Sequence, residues 1–114
     1  MNNPPVEESL DPADWEALRR LAHQAIDDGF DHLQGVRDRP VWQPVPEAVV
    51  ARLRQPAPRL PQGAESAYRE FKEIVMPYSM GNTHPRFWSW FMGNGTPFAA
   101  VGDFLAAVLN PNMG

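Results

Sequence analysis

The 114-residue chain has no cysteine, a single lysine and no long apolar run, and each shortage excludes a class of function. Without cysteine there are no disulfides and no thiolate metal sites, and the redox compartment stays open. No apolar stretch reaches the roughly 18 residues that suggest a membrane span, so no membrane partner is expected. Residues Met1 to Glu8 are acidic and lack a basic-then-apolar signal sequence, which makes a cytoplasmic location the default expectation. The formal charge is −4 and the arginines are scattered, so the basic footprint of a nucleic-acid binder is missing.

What the chain does have is proline and aromatic surface. Of its 13 prolines, Pro40, Pro44, Pro46, Pro56, Pro58 and Pro61 crowd one third of the length, which cannot be a compact helical core. Phe87-Trp88-Ser89-Trp90-Phe91 places four large aromatics in five residues. Each buries about 150–250 Å² when covered. Their sum exceeds the roughly 300–600 Å² of the largest apolar patch on a typical soluble monomer, so a further element must cover this strip.

Helical spacing organises the rest into an all-α, extended arrangement of three long helices and one short one. Residues 1–10 read as a flexible lead-in. Asp11-Pro12 offers a capping carboxylate and a first-turn proline. Trp15, Leu18, Ala22, Ile26 and Leu33 then recur on one face, Gly29 weakens the helix and Gly35 ends it. Residues 36–64 are extended around Trp42 and are interrupted by a short helix from Pro46-Glu47 to Arg54, ahead of Pro56. Pro56 to Pro61 could be a polyproline ligand, but without a flanking basic anchor a plain connector is the simpler reading. A second long helix covers Ala64 to Val75, with Tyr68, Phe71 and Val75 on its apolar face, and stops at Met76-Pro77. Thr96 caps a third, with Pro97 at its first position, an apolar stripe of Phe98, Val101, Leu105 and Val108, and an end at Asn110-Pro111.

Three chemical readings are weighed against plainer ones. His23 and His32 fall on opposite sides of their helix and His23 with Asp27 supplies only two ligands, so no metal is predicted. The lone Lys72 invites a Schiff-base role, but it sits among acids on a polar helix face and reads as a surface lysine. Gly93 to Pro97 leads into a helix N-terminus that is able to bind an anion. The phosphate-loop signature is absent, so a turn plus N-cap is preferred.

The ordered set Ile74-Val75-Met76-Pro77, Thr83-His84-Pro85-Arg86-Phe87-Trp88, Asn94-Gly95-Thr96-Pro97 and Leu109-Asn110-Pro111-Asn112 resembles the N-terminal region of the group II pyridoxal-phosphate-dependent amino-acid decarboxylases. These are the aromatic-amino-acid, glutamate and diaminobutyrate decarboxylases. The resemblance runs from about residue 10 to 114 and is most specific at 76–112. It implies a longer carboxy-lyase of the aspartate-aminotransferase-like fold that acts as a homodimer on an amino-acid substrate with pyridoxal 5'-phosphate. It implies too that the Schiff-base lysine and the other cofactor-binding groups lie outside this stretch, which carries no catalytic residue. Residues 11–80 would clasp the partner subunit, and 81–114 would line the substrate side-chain pocket and begin the cofactor-binding domain. By position, Trp90, Phe91, Met92 and Gly93 match the pocket-lining run, and Asn112 and Gly114 match positions that reach the neighbouring subunit's site. Aromatic-amino-acid decarboxylases typically show Tyr-Phe-Pro-Thr at the first four positions, and an apolar and an aromatic residue at the last two, so the substrate stays open.

Read from the residues alone, two alternatives remain: a stand-alone helical interaction module that buries the strip on another protein, and a self-contained helical bundle.

Overall fold

The computed structural model describes residues 9–112, so residues 1–8 of the expected lead-in and the final two residues lie outside it. Four α-helices and two short 3₁₀ turns follow one another, with no strand among the described residues. This is the all-α arrangement of three long helices and one short one that the spacing predicts.

The first helix, α1, spans Trp15–Gln34. It starts one turn later than expected. The Asp14 carboxylate, not that of Asp11, accepts the Ala17 N–H at 2.9 Å. Asp11 instead donates its own N–H to Ser9 Oγ, which holds the preceding residues in a local turn. Gly29 is carried inside the helix, and the Gly35 N–H closes the end on the Asp31 carbonyl at 2.9 Å. A 3₁₀ turn at Val36–Asp38, which the sequence did not signal, leads into the extended segment.

Helix α2 (Glu47–Leu53) is held to α3 (Ala64–Ile74) by Arg52, which lies 3.2 Å from Glu73 and 3.8 Å from Glu70. These side chains are about half exposed, so each pair contributes at most about 1 kcal/mol. α3 passes into a 3₁₀ turn at Met76–Tyr78, where Pro77 removes the N–H that another helical turn would need. Helix α4 (Pro97–Leu109) begins at the expected cap, with Thr96 Oγ1 accepting the Ala99 N–H at 3.3 Å, and ends on Asn110 in the left-handed region at φ 41°.

Packing is sparse. Among the described residues Ile74, 4% exposed, is the only buried apolar side chain. It sits where α3 runs into its 3₁₀ turn. The radius of gyration is 18.5 Å, against about 13 Å for a compact domain of this length. The chain leaves 10458 Å² accessible, against roughly 6,300 Å² for a compact monomer of this mass. Much of the excess is apolar. α4 carries one charged residue, Asp103, and its Phe98, Phe104, Leu105, Val108 and Leu109 are all more than half exposed. A helix apolar on most of its circumference belongs in an interior, so its partner surface must be supplied from elsewhere.

Candidate functional site

Two features organise the polar chemistry: a polar cluster between α1 and α3, and the loop that carries the aromatic strip. On α1, Gln24 and Asp28 are one turn apart; on α3, so are Tyr68 and Lys72. The two pairs face each other. Lys72 Nζ lies 2.8 Å from Asp28 Oδ2, the Tyr68 hydroxyl donates to the same oxygen, and Gln24 Nε2 donates to Oδ1 at 3.1 Å. The Lys72 and Tyr68 hydrogen bonds hold the Asp28 carboxyl below its ordinary value. Burial and the Asp28 carboxylate push the Tyr68 phenol up to about 12. Lys72 is exposed, as the surface reading held, and its ion-pair partner is an aspartate on another helix, not the acids on its own.

His32 is hydrogen bonded to Arg39, seven residues further along the chain. Arg39 Nη2 donates to the His32 carbonyl at 2.7 Å and Nη1 to His32 Nδ1, so the guanidinium closes the C-terminal turn of α1. Burial and then the Arg39 charge lower the His32 pKa, which favours the neutral ring that can accept this bond.

Asp28, Lys72, His32 and Arg39 form one wall of an open cleft of about 410 Å³, whose other wall includes Trp42, Met76, Thr83 and His84. The second wall is built around Gly81. Its φ is +84°, and a Cβ there would lie 1.8 Å from the Val41 carbonyl oxygen. Only glycine permits that approach. The turn continues through His84, which is 7% exposed; its N–H donates to the Gly81 carbonyl at 2.9 Å, and its Nδ1 accepts the Arg86 N–H at 3.0 Å. A side chain satisfied within its own turn sets the direction in which the chain leaves toward the strip. Gln43 Nε2 ties the Trp42 segment to the same wall through the Pro77 carbonyl, at 2.9 Å.

The strip lies in a loop closed on itself. Asn82 Nδ2 donates to Asn94 Oδ1 at 2.9 Å, and Asn94 Nδ2 donates to the Asn82 carbonyl at 2.7 Å. Within the loop, Phe87 and Trp90 meet edge to face, with ring centroids 6.0 Å apart. Trp90 also lines a groove of about 310 Å³ with Trp42, Met80 and Phe87. Phe91 is fully exposed, Met92 is 41% exposed, and a Cβ at Gly93 would meet nothing within 4 Å. Asn112 lies beyond α4, whose 13 residues run about 20 Å, so it is at the other end of that helix from the strip. Gly114 lies outside the described residues. The structure thus brings Trp90, Phe91, Met92 and Gly93 together as one exposed run. Sequence reasoning missed the Asn82–Asn94 pair and Gly81; a Gly-Asn turn twelve residues before a Gly-Asn-Gly turn was the available signal.

No family model matches the chain. It is 28% identical over 111 residues to an aromatic-L-amino-acid decarboxylase of Catharanthus roseus, which covers 96% of this chain and 22% of that protein. A tyrosine decarboxylase of Oryza sativa subsp. japonica is 32% identical over 103 residues, 85% of this chain and 19% of that protein. The aromatic-L-amino-acid decarboxylase of Rattus norvegicus is 30% identical over 100 residues, 84% of this chain and 20% of that protein. The chain spans about a fifth of the length of the curated relatives it matches. The relatives of this chain are therefore the aromatic-L-amino-acid, tyrosine and tryptophan decarboxylases, members of the group II pyridoxal-phosphate-dependent family.

Proposed function

We propose that this chain is the N-terminal part of a pyridoxal-phosphate-dependent amino-acid decarboxylase of the aspartate-aminotransferase-like fold. In this reading residues 11–80 clasp the partner subunit of a cytoplasmic homodimer. Residues 81–114 line the substrate side-chain pocket and open the cofactor-binding domain. The observation that carries the reading is the exposed run from Trp90 to Gly93 next to an apolar, uncovered α4. Such surface is unstable in water and fits a segment whose interior is completed by other parts of an enzyme.

The residues present do not fit the cofactor itself. The ammonium of Lys72 is bound by Asp28 at 2.8 Å, and together with the Tyr68 hydroxyl, which donates to the same carboxylate, it bolts α3 to α1. The turn before α4 lacks a lysine or arginine to accompany a phosphate. We therefore place the Schiff-base lysine, and the electron-sink chemistry the cofactor supplies, in residues outside this chain. The part assigned to Trp90, Phe91 and Met92 is to contact the side chain of an amino-acid substrate and exclude water from it. Asn112 and Gly114 are assigned to the neighbouring subunit's site. With Trp-Phe-Met-Gly in the pocket run, the preferred amino acid is open.

Sequencing the transcript beyond the codon for Gly114 tests this reading. An open frame continuing for several hundred residues and containing a His-Lys pair is expected. A stop codon directly after Gly114 would overturn it in favour of a stand-alone interaction module.

A further inference from the structure

Between Trp88 and Gly95 the described backbone makes no hydrogen bond to other backbone groups, so the strip is not held by secondary structure. Two contacts remain inside the loop: the edge-to-face pair of Phe87 with Trp90, and the paired hydrogen bonds of Asn82 with Asn94. The asparagine pair bridges the two ends of the loop. Both ends are themselves anchored. Asn82 follows Gly81, whose backbone is pressed against the Val41 carbonyl, and Asn94 precedes by two residues the Thr96 cap of α4.

We infer that Asn82 and Asn94 are positioning residues whose reciprocal side-chain clasp holds the Phe87 to Met92 loop as one preformed platform. The choice of residue follows from the bonding. Asparagine carries a donor and an acceptor on one short side chain, so one residue can accept from its partner's side chain and donate to its partner's backbone at once. Aspartate at 94 would still accept from Asn82 Nδ2 but would point a second oxygen at the Asn82 carbonyl. Because the platform is assigned to the substrate pocket, the functional half of this inference rests on that assignment, and the clasp itself does not.

The bonds predict a graded series. Asn94→Ala removes both; Asn82→Ala removes only the Nδ2 to Oδ1 bond, since its backbone carbonyl stays. The double variant should match Asn94→Ala. Chymotrypsin cleaves after aromatic residues, and cutting at Phe87 to Phe91 reports how often the loop opens. On the 114-residue chain, dilute enough to be monomeric by light scattering, cleavage there should rise roughly tenfold in Asn94→Ala and about threefold in Asn82→Ala, for bonds of ordinary strength. The helical circular dichroism should be unchanged. Equal cleavage rates in all variants and the unaltered chain would overturn the clasp. In the intact enzyme, Asn94→Ala should raise KM and reorder kcat/KM among amino acids with little change in kcat. Graded cleavage with an unchanged KM and ranking would keep the clasp and remove its substrate role.

Discussion

Lys72 Nζ lies 2.8 Å from Asp28 Oδ2, and this contact joins α1 to α3 in a molecule with almost no buried apolar core. With Ile74 the one buried apolar side chain among the described residues, polar contacts carry an unusual share of the helix–helix register.

Lys72→Met should therefore lower the melting temperature by a few degrees and leave Asp28 tied to α3 through Tyr68 alone. The pH dependence has a definite sign. Asp28 is depressed below 3.8, so its contribution is present above that value and lost as pH falls through the lowered one. Tyr68 is raised from 10.0 to about 12, so its contribution is present below about 10 and lost as pH rises through about 12. Thermal melts across both windows check this, and Tyr68→Phe should reduce the alkaline loss.

His32 should give a second, milder transition. Its folded pKa lies below the ordinary 6.5, because burial and the Arg39 charge disfavour the imidazolium. Stability is then full above about 6.5 and is lost as pH falls through the lowered value. Titration of the ring by NMR gives the folded pKa directly; a midpoint at or above 6.5 would contradict the Arg39 contact. His32→Gln, which keeps an acceptor but does not titrate, should flatten the melting temperature in this range.

Gly81→Ala should be among the most damaging small changes in the chain. It places a Cβ at φ +84° and 1.8 Å from the Val41 carbonyl, so the turn and the Trp42 segment must separate. A cost of at least about 2 kcal/mol is expected from strain in the left-handed region together with this clash. Urea denaturation followed by tryptophan fluorescence measures it.

Phe91→Ala separates pocket from core. Phe91 is fully exposed here, so truncation should change the stability of the isolated chain by no more than about 0.5 kcal/mol. If it walls the pocket in the intact enzyme, kcat/KM should fall on the order of 10- to 100-fold at about 25 cal/mol per Å² of lost contact, with cofactor binding retained. An unchanged ranking of amino acids would remove Phe91 from the pocket.

Sedimentation of the isolated chain at micromolar concentration should show self-association, because α4 and the strip expose many large apolar side chains. A compact monomer with a sharp cooperative melt would favour a self-contained bundle.

The residues of this chain determine its helices locally. Thr96-Pro97, Met76-Pro77 and Asn110-Pro111 each bound a helix through a cap or a missing N–H, and these effects act within one turn. Local rules failed by one turn at α1, where Asp11 and Asp14 carry the same capping oxygen and only the built structure selects Asp14. The exposed character of Phe91 and Trp90 was legible because four aromatics in five residues exceed what so short a stretch can bury on itself. Asp28 with Lys72 and Tyr68, and Gly81 against Val41, were decided by tertiary structure alone. So was Asn82 with Asn94. A polar side chain has many partners of equal chemistry along the sequence, and only the packing of distant elements brings one of them within 3 Å.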